Sequence, residues 1–256
     1  MNFLKLPKRT IGKRKFGLTS IIDLGISTGE LKNILQDYHS FIDIAKIGIG
    51  SAYVTPNLRD KIKIYKEYGI KIYCGGTLFE KAYMQDKVDD YLNSLKALGI
   101  QWVEVSNGTF PISLEDRCRI ISNIKNDFHV LAEVGSKDTE AEISLCEWKQ
   151  EINQLLDAGS EYVITEGRDS GTSGIYESNG CIKTNLICEL VKGIDVNSII
   201  FEAPTAQQQM YFINELGTNV NVGNVKIQDV LQLEAQRLGL RSETLFLEET
   251  GCKLLL

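Results

Sequence analysis

Charged side chains recur in this sequence at the ends of short apolar runs. The acidic ones are Asp23, Glu104, Glu133, Glu166 and Glu202, and the basic ones are Lys46, Lys137 and Arg168. Carboxylate oxygens are the ligands that Mg²⁺ prefers, and a lysine or an arginine can neutralise a phosphate or a carboxylate. If the fold gathers them in one place, these residues form a site for a divalent metal and an anionic substrate.

Small and polar residues accompany the charged ones. The candidates for substrate binding are Gly75, Gly76, Asn107, Ser170, Gly223 and Asn224. Backbone N–H groups approach a phosphate most closely where no Cβ intrudes, so glycine-rich loops suit phosphate binding. A purely structural interpretation stays open for each feature, because glycines also form tight turns and charges at strand ends are often merely exposed.

The elements that must position these residues are of two alternating kinds. Short apolar or β-branched runs predict strands at 20–23, 42–47, 70–74, 102–105, 130–134, 162–165, 199–202 and 220–222. Stretches of helical period predict helices at 57–68, 81–98, 114–125, 144–157, 185–191, 205–216 and 227–238. Eight strand–helix units predict an α/β fold, a (β/α)8 barrel, in which chemistry gathers at the C-terminal ends of the strands.

A single barrel is preferred to an open, doubly wound sheet. No G-x-G-x-x-G motif follows the first strand, and no linker divides the chain. We expect one domain over residues 1–256, with an N-terminal arm at 1–16 and a C-terminal tail at about 245–256. The arm is basic, and the simplest interpretation is that it is exposed to solvent.

Composition excludes several classes of function. The formal net charge of −6 argues against nucleic-acid binding. No apolar run approaches the roughly 18 residues of a membrane span, and the first residues lack the apolar segment of a secretory signal, so we expect a cytoplasmic protein. The six cysteines lack metal-binding spacing and are predicted to be reduced thiols.

Familiar catalytic motifs are also absent from the sequence. It contains no G-x-S-x-G elbow, no P-loop and no H-E-x-x-H motif. Both histidines, His39 and His129, fall where a helix ends and where a strand begins, away from the predicted site. Lysine or carboxylate groups must therefore move any protons.

Longer strings around the charged residues match a known family. They are GLT (17–19) with ID (22–23), GGTLFE (75–80), VEVSNGT (103–109), EVGSK (133–137), EGRDSG (166–171), FEAP (201–204) and NVNVGN (219–224). In these strings the chain resembles the phosphosulfolactate synthase family, over nearly its whole length. It departs from many members at Leu24, where they have lysine, and at 47–51, where they have Phe-Gly-Trp-Gly-Thr.

The resemblance implies a barrel enzyme, a carbon–sulfur lyase, that adds sulfite to phosphoenolpyruvate. The product is (2R)-phospho-3-sulfolactate, formed with Mg²⁺ through an enolate-type aci-carboxylate, and in archaea it leads to coenzyme M. The resemblance further implies that Lys137 donates the proton and that the chain forms a homo-oligomer, a trimer. We assign Arg168 and Lys46 to the substrate charges, and the metal to some of the five acids, with the choice among them open.

Two other functions stay open at this point. One is an enzyme with the same chemistry that acts on another phosphorylated acid with another nucleophile. The other is a non-catalytic barrel, because the family includes stress-associated plant proteins and a fold alone does not fix an activity.

Overall fold

A computed structural model describes residues 3–135, 144–168 and 170–247 of the chain. The strands are β1 (Thr19–Asp23), β2 (Ile44–Ile47), β3 (Lys71–Cys74), β4 (Trp102–Val105), β5 (His129–Val134), β6 (Tyr162–Thr165), β7 (Ile199–Glu202) and β8 (Val222–Lys226). The α-helices are α1 (Thr28–Tyr38), α2 (Ser51–Val54), α3 (Leu58–Glu67), α4 (Gly76–Met84), α5 (Val88–Leu98), α6 (Leu114–Ile124), α7 (Leu145–Ala158), α8 (Thr184–Val191), α9 (Ala206–Leu216) and α10 (Val230–Arg237). None of these helices is long and apolar enough to cross a membrane.

The strands form a nearly closed parallel barrel. Their order is β3-β2-β1-β8-β7-β6-β5-β4, with β8 paired to β1, and β3 lies beside β4. Helices α1 to α9 lie between the strands along the chain, α10 follows β8, and the helices cover the outside. The predicted (β/α)8 barrel is confirmed.

The barrel interior is apolar below and charged above. The apolar part is a cluster of Leu18, Ile44, Tyr73, Trp102, Leu131, Tyr162, Ile164 and Ile200. Alternate residues of a strand share a face, so the residue two positions after an interior residue also points inward. Applied to Ile44, Trp102, Leu131 and Ile200, this rule places Lys46, Glu104, Glu133 and Glu202 in a charged layer above the apolar one.

The structure corrects two predicted elements. The helix predicted at 81–98 is two helices, α4 and α5, because the chain turns at Asp86, whose φ is 60°. Strand β8 was predicted to end at Val222 but begins there. The side chain of the preceding residue, Asn221, accepts a hydrogen bond from Leu18 N and donates one to the carbonyl of Ile199. Gly223 and Asn224 therefore belong to β8 and do not follow it.

Most described residues of the N-terminal arm are exposed, as expected, but two of its arginines are not. The side chains of Arg9 and Arg14 are almost fully buried, paired with Glu234 at 3.1 Å and with Asp43 at 2.9 Å. The arm packs against the N-terminal ends of the strands because these two acids lie there to neutralise it. Of the predicted C-terminal tail, residues 248–256 lie outside the described residues.

Two smaller predictions are confirmed. His39 follows α1 and His129 is the first residue of β5, so both lie away from the C-terminal ends of the strands. The described cysteines are free thiols, namely Cys74, Cys118, Cys146, Cys181 and Cys188.

Candidate active site

The charged layer is organised around Lys46. Its Nζ lies 2.9 Å from Glu202 Oε1, 3.4 Å from Glu133 Oε2 and 3.4 Å from Glu104 Oε2. All three carboxylates are buried, and they come from β4, β5 and β7, while Lys46 comes from β2. The barrel thus converges one cation and three acids from four strands.

A fourth carboxylate joins this group from the end of β6. Oxygens of Glu133, Glu166 and Glu202 lie within 4.8 Å of one another, and all three residues are buried. Main-chain N–H groups fix two of them: Gly167 donates to Glu202 Oε2 at 2.9 Å, and Arg168 donates to Glu166 Oε1 at 2.6 Å. Three converging oxygen donors of this kind can hold a hard divalent cation.

Burial and charge act against each other at Lys46. Burial alone would lower its pKa, but the attraction of Glu104, Glu202 and Glu133 outweighs burial and raises the pKa well above its ordinary value. Burial raises the pKa of Glu202, against the opposing effect of Lys46. Lys46 is therefore a permanent cation at neutral pH, suited to holding negative charge and not to donating protons.

Glu104 has a second task in the site. Its Oε1 accepts a hydrogen bond from Gly76 N at 2.9 Å, so the carboxyl group caps the start of α4. A Cβ at Gly76 would lie 2.1 Å from Ser106 Oγ, which requires glycine there. Burial raises the pKa of Glu104 well above its ordinary value, and Glu133 adds to the rise. Glu104 is thus committed to α4 and Lys46 and lies outside the group of three acids.

The structure does not bring Asp23 to the other acids. Its carboxylate accepts hydrogen bonds from Lys61 Nζ at 3.0 Å and from the Tyr65 hydroxyl at 2.9 Å, both on α3. The main-chain N–H groups of Gly25 and Ile26 bind the same carboxylate. The sequence analysis did not select Lys61. Its position one helical turn before Tyr65 places both side chains on the same face of α3, which could have indicated a shared partner.

A cavity of about 210 Å³ opens above the charged layer. Its lining is Ile22, Lys46, Ile49, Gly75, Gly76, Thr77, Glu166, Arg168, Ser170, Glu202 and Asn224. Most of the predicted catalytic and substrate-binding residues therefore meet in one space. Of the departures from the family strings, Ile49 lines the cavity, and Ile49 and Leu24 are exposed apolar side chains.

Two predicted residues lie elsewhere, and a third cannot be placed. Gly223 is in β8, where a Cβ would lie 3.0 Å from Ile200 Cγ2, so it serves strand packing. Asn107 is half-buried and does not line the cavity. Lys137 lies outside the described residues.

A buried acid that sequence reasoning did not select holds the loop after β4. Glu80 of α4 accepts hydrogen bonds from Ser106 Oγ at 2.7 Å, Thr109 N at 2.9 Å and Phe110 N at 2.7 Å. The available signal was its position at the end of the GGTLFE string. Glu80 fixes the backbone on either side of Asn107.

Comparison with known proteins agrees with this architecture. The sequence model of the (2R)-phospho-3-sulfolactate synthase (ComA) family matches residues 7–243. The phosphosulfolactate synthase of Bacillus subtilis is 40% identical over 95% of this chain and 98% of that protein. The phosphosulfolactate synthase of Methanocaldococcus jannaschii is 42% identical over 89% of this chain and 93% of that protein.

Solved structures with little sequence identity share the fold alone. The 3-hexulose-6-phosphate synthase of Salmonella typhimurium matches with a TM-score of 0.54 at 14% identity, over 86% of this chain and 99% of that one. The 3-keto-L-gulonate-6-phosphate decarboxylase of Vibrio cholerae matches with a TM-score of 0.54 at 11% identity, over 91% and 99%. Because the family model and both relatives cover most of the chain, this protein belongs to the (2R)-phospho-3-sulfolactate synthase family.

Proposed function

We propose that this protein is a carbon–sulfur lyase that adds sulfite to phosphoenolpyruvate with the help of Mg²⁺, giving (2R)-phospho-3-sulfolactate. One observation carries the proposal in a chain of this family. Glu133, Glu166 and Glu202 meet Lys46 beneath a cavity that Arg168 also lines. The cavity therefore offers cations to an anionic substrate and oxygen ligands to a metal.

The reaction forms one bond and moves one proton. The sulfur lone pair of sulfite attacks the methylene carbon of phosphoenolpyruvate, and the electrons of the carbon–carbon double bond move onto the carboxylate. The resulting aci-carboxylate carries one more negative charge than the carboxylate it came from. A proton delivered to one face of the adjacent carbon then gives the product, and the phosphate ester stays intact.

The chain's own residues suit the charged stage of this reaction. Groups that bind charge more strongly in the transition state than in the ground state accelerate a reaction. Lys46 is held by three carboxylates, so it can oppose the new charge without moving. We assign Arg168 to a substrate oxyanion and Lys137 to proton donation.

The donor set fits Mg²⁺. Glu133, Glu166 and Glu202 provide hard oxygen ligands, and with Glu104 they place four buried carboxyl groups beside one lysine, Lys46, in the described part of the chain. Buried carboxylates in excess are costly unless a cation accompanies them. When bound there, Mg²⁺ would supply electrostatic stabilisation of the negative charge that builds up on the substrate carboxylate.

The test is consumption of phosphoenolpyruvate by the purified protein, followed by phosphorus NMR. Sulfite and Mg²⁺ are each omitted in turn. We expect conversion only when both are present, with a new phosphate-ester signal and no inorganic phosphate. Conversion without sulfite, or binding without conversion, would indicate another nucleophile or another phosphorylated acid. Absence of binding would favour a non-catalytic barrel.

The proposal includes a cytoplasmic homo-oligomer, a trimer, as the family resemblance implies. Size-exclusion chromatography with light scattering measures the mass in solution directly. A monomer at the concentrations used for the assay would contradict this part alone.

A further inference from the structure

Strand β8 is irregular where it forms the cavity wall. In its pairing with β1, Thr19 lies opposite Val222, but Ile21 lies opposite Val225. One extra residue in β8 is therefore accommodated in this interval, which is a β-bulge at Gly223 and Asn224. Bulges beside active sites turn a side chain in a direction that a regular strand does not allow.

The backbone of Asn224 is left-handed, with a φ of 52°. Among the described residues, the other non-glycine residues with positive φ are Ile49, Asp86 and Arg168. Ile49, Arg168 and Asn224 all line the cavity, whereas Asp86 lies in the turn between α4 and α5. Left-handed backbone at non-glycine residues concentrates at functional sites, so the clustering points to a ligand.

The side-chain oxygen of Asn224 has no partner in the described part of the chain. The residue is only 4% exposed, and its Oδ1 is buried without a hydrogen bond. Buried amides are nearly always hydrogen-bonded, so a buried amide oxygen without a partner beside a cavity marks a ligand contact. The oxygen and nitrogen of an amide are assigned only by their hydrogen bonds, and a half-turn of the terminal bond presents the N–H to a ligand acceptor at the same place. The guanidinium of Arg168 likewise has no ion pair with any described residue.

These two groups approach the cavity from either side of β7, since Arg168 follows β6 and Asn224 belongs to β8. A guanidinium binds two oxygens of an oxyanion with parallel hydrogen bonds. When a guanidinium binds both oxygens of a carboxylate, no oxygen is left for a second group. A phosphate ester has a third terminal oxygen, which an amide N–H can bind. An amide also suits a cavity lined by Glu166 and Glu202, because it donates a hydrogen bond without adding negative charge.

We propose that Asn224, directed inward by the β8 bulge, binds the phosphate of the substrate together with Arg168. The identity of the substrate as phosphoenolpyruvate rests on the proposed function. The assignment of the phosphate to this side of the cavity rests on the bulge, on the unpartnered amide oxygen of Asn224, and on the absence of an ion pair between Arg168 and any described residue.

The deciding variant is Asn224→Gly, because glycine adopts the left-handed backbone and removes only the amide. Asp86→Gly is the matched control: it makes the same exchange at a left-handed residue far from the cavity. We expect Asn224→Gly to raise the KM for phosphoenolpyruvate at least about tenfold, with kcat and the KM for sulfite changed less than about twofold. Asp86→Gly should change neither constant.

Asn224→Asp sharpens the result, since it keeps the shape of the side chain and places a negative charge against the phosphate. The KM for phosphoenolpyruvate should then rise above that of Asn224→Gly. Unchanged KM values in both variants would overturn the proposal. A rise confined to the KM for sulfite would do so as well, because it would assign the amide to the nucleophile.

Calorimetric titration with phosphoenolpyruvate separates this inference from the proposed function. If the wild-type protein binds phosphoenolpyruvate without sulfite-dependent turnover, the proposed function fails, and weaker binding by Asn224→Gly than by Asp86→Gly still supports the phosphate contact. Equal binding by the two variants would overturn the contact. A wild-type protein that does not bind phosphoenolpyruvate would overturn both.

Discussion

The two ends of the barrel both bury charged side chains, but they satisfy them differently. At the N-terminal end of the strands, fully buried Arg237 donates hydrogen bonds to the carbonyls of Thr218 and Val220 at 2.7 Å and of Leu18 at 3.0 Å. Arg9 and Arg14 of the arm pair there with acids, as described above. At the C-terminal end, Lys46 faces several carboxylates at once.

The difference separates a stabilising end from a reactive one. A buried charge that fixed partners satisfy holds the structure together, and its removal leaves those partners unsatisfied. A buried layer in which several carboxyl groups surround one lysine can still bind a cation. Substitutions at the N-terminal end should therefore change stability, and those at the C-terminal end should change activity.

Glu202→Gln tests the reactive end most directly. We expect turnover to fall at least about 1000-fold, because the variant loses a metal ligand and a partner of Lys46. The free energy of unfolding should not decrease, since the raised pKa of Glu202 shows that burial disfavours its charged form. Steady-state kinetics and urea unfolding measure the two quantities.

Glu234→Gln is the control at the opposite end. It removes the charge of a buried acid that pairs with Arg9 and leaves the C-terminal ends of the strands untouched. Turnover of the folded fraction should equal that of the wild type. A loss of turnover in Glu234→Gln similar to that in Glu202→Gln would remove the distinction between the two ends.

Arg237→Met tests the stabilising end. The variant leaves three main-chain carbonyls without their donor, so we expect the free energy of unfolding to fall by about 3 kcal/mol. The kcat of the folded protein should be unchanged. Arg241→Met, at a half-exposed arginine near the same end, should shift the unfolding free energy by less than about 0.5 kcal/mol. Equal losses in the two variants would show that the buried hydrogen bonds of Arg237 contribute little.

How far the sequence could predict each end follows from the range of the interactions. The strands were predictable because short β-branched runs determine them locally, and Lys46 and Glu202 could be placed at one end because all strands of a barrel run parallel. The burial of Arg9 and Arg14 in the arm was not predictable. Arg9 gains its partner Glu234 across 225 positions of the chain, a contact that no local pattern encodes.

The same reasoning explains the partial success at the site. Asp23 was as good a metal ligand by sequence as Glu133, and only the packing of α3 against β1 shows that Lys61 and Tyr65 occupy it. The bulge in β8 depends on register with β1 and so could not be read from one strand. Residue types at strand ends thus predicted the chemistry, and tertiary packing selected which of them carry it.

Lys137→Ala probes the reactive end through a residue outside the described part of the chain. As the proposed proton donor, it should lower turnover at least about 100-fold when removed, which is the usual scale for a general acid. Lys63→Ala, on the exposed face of α3, is the control and should retain full turnover. Unchanged turnover in Lys137→Ala would end its assigned role and return attention to the carboxylates of the charged layer.

The smallest expected effect is a pH dependence of stability that belongs to one end alone. In the metal-free protein, burial raises the pKa of Glu104 and of Glu202, so the folded state keeps protons that the unfolded chain releases above about pH 4.3. A state that holds more protons loses stability as pH rises, and we expect the unfolding free energy to fall by on the order of 1 kcal/mol between about pH 5 and about pH 8. Glu104→Gln should flatten this slope, and Mg²⁺ should oppose it by favouring ionised carboxylates. Glu234→Gln should leave the slope in place, because that acid is at the other end. Urea unfolding across the pH series, with and without Mg²⁺, measures all four cases. A slope that Glu104→Gln does not alter would place its origin outside the charged layer.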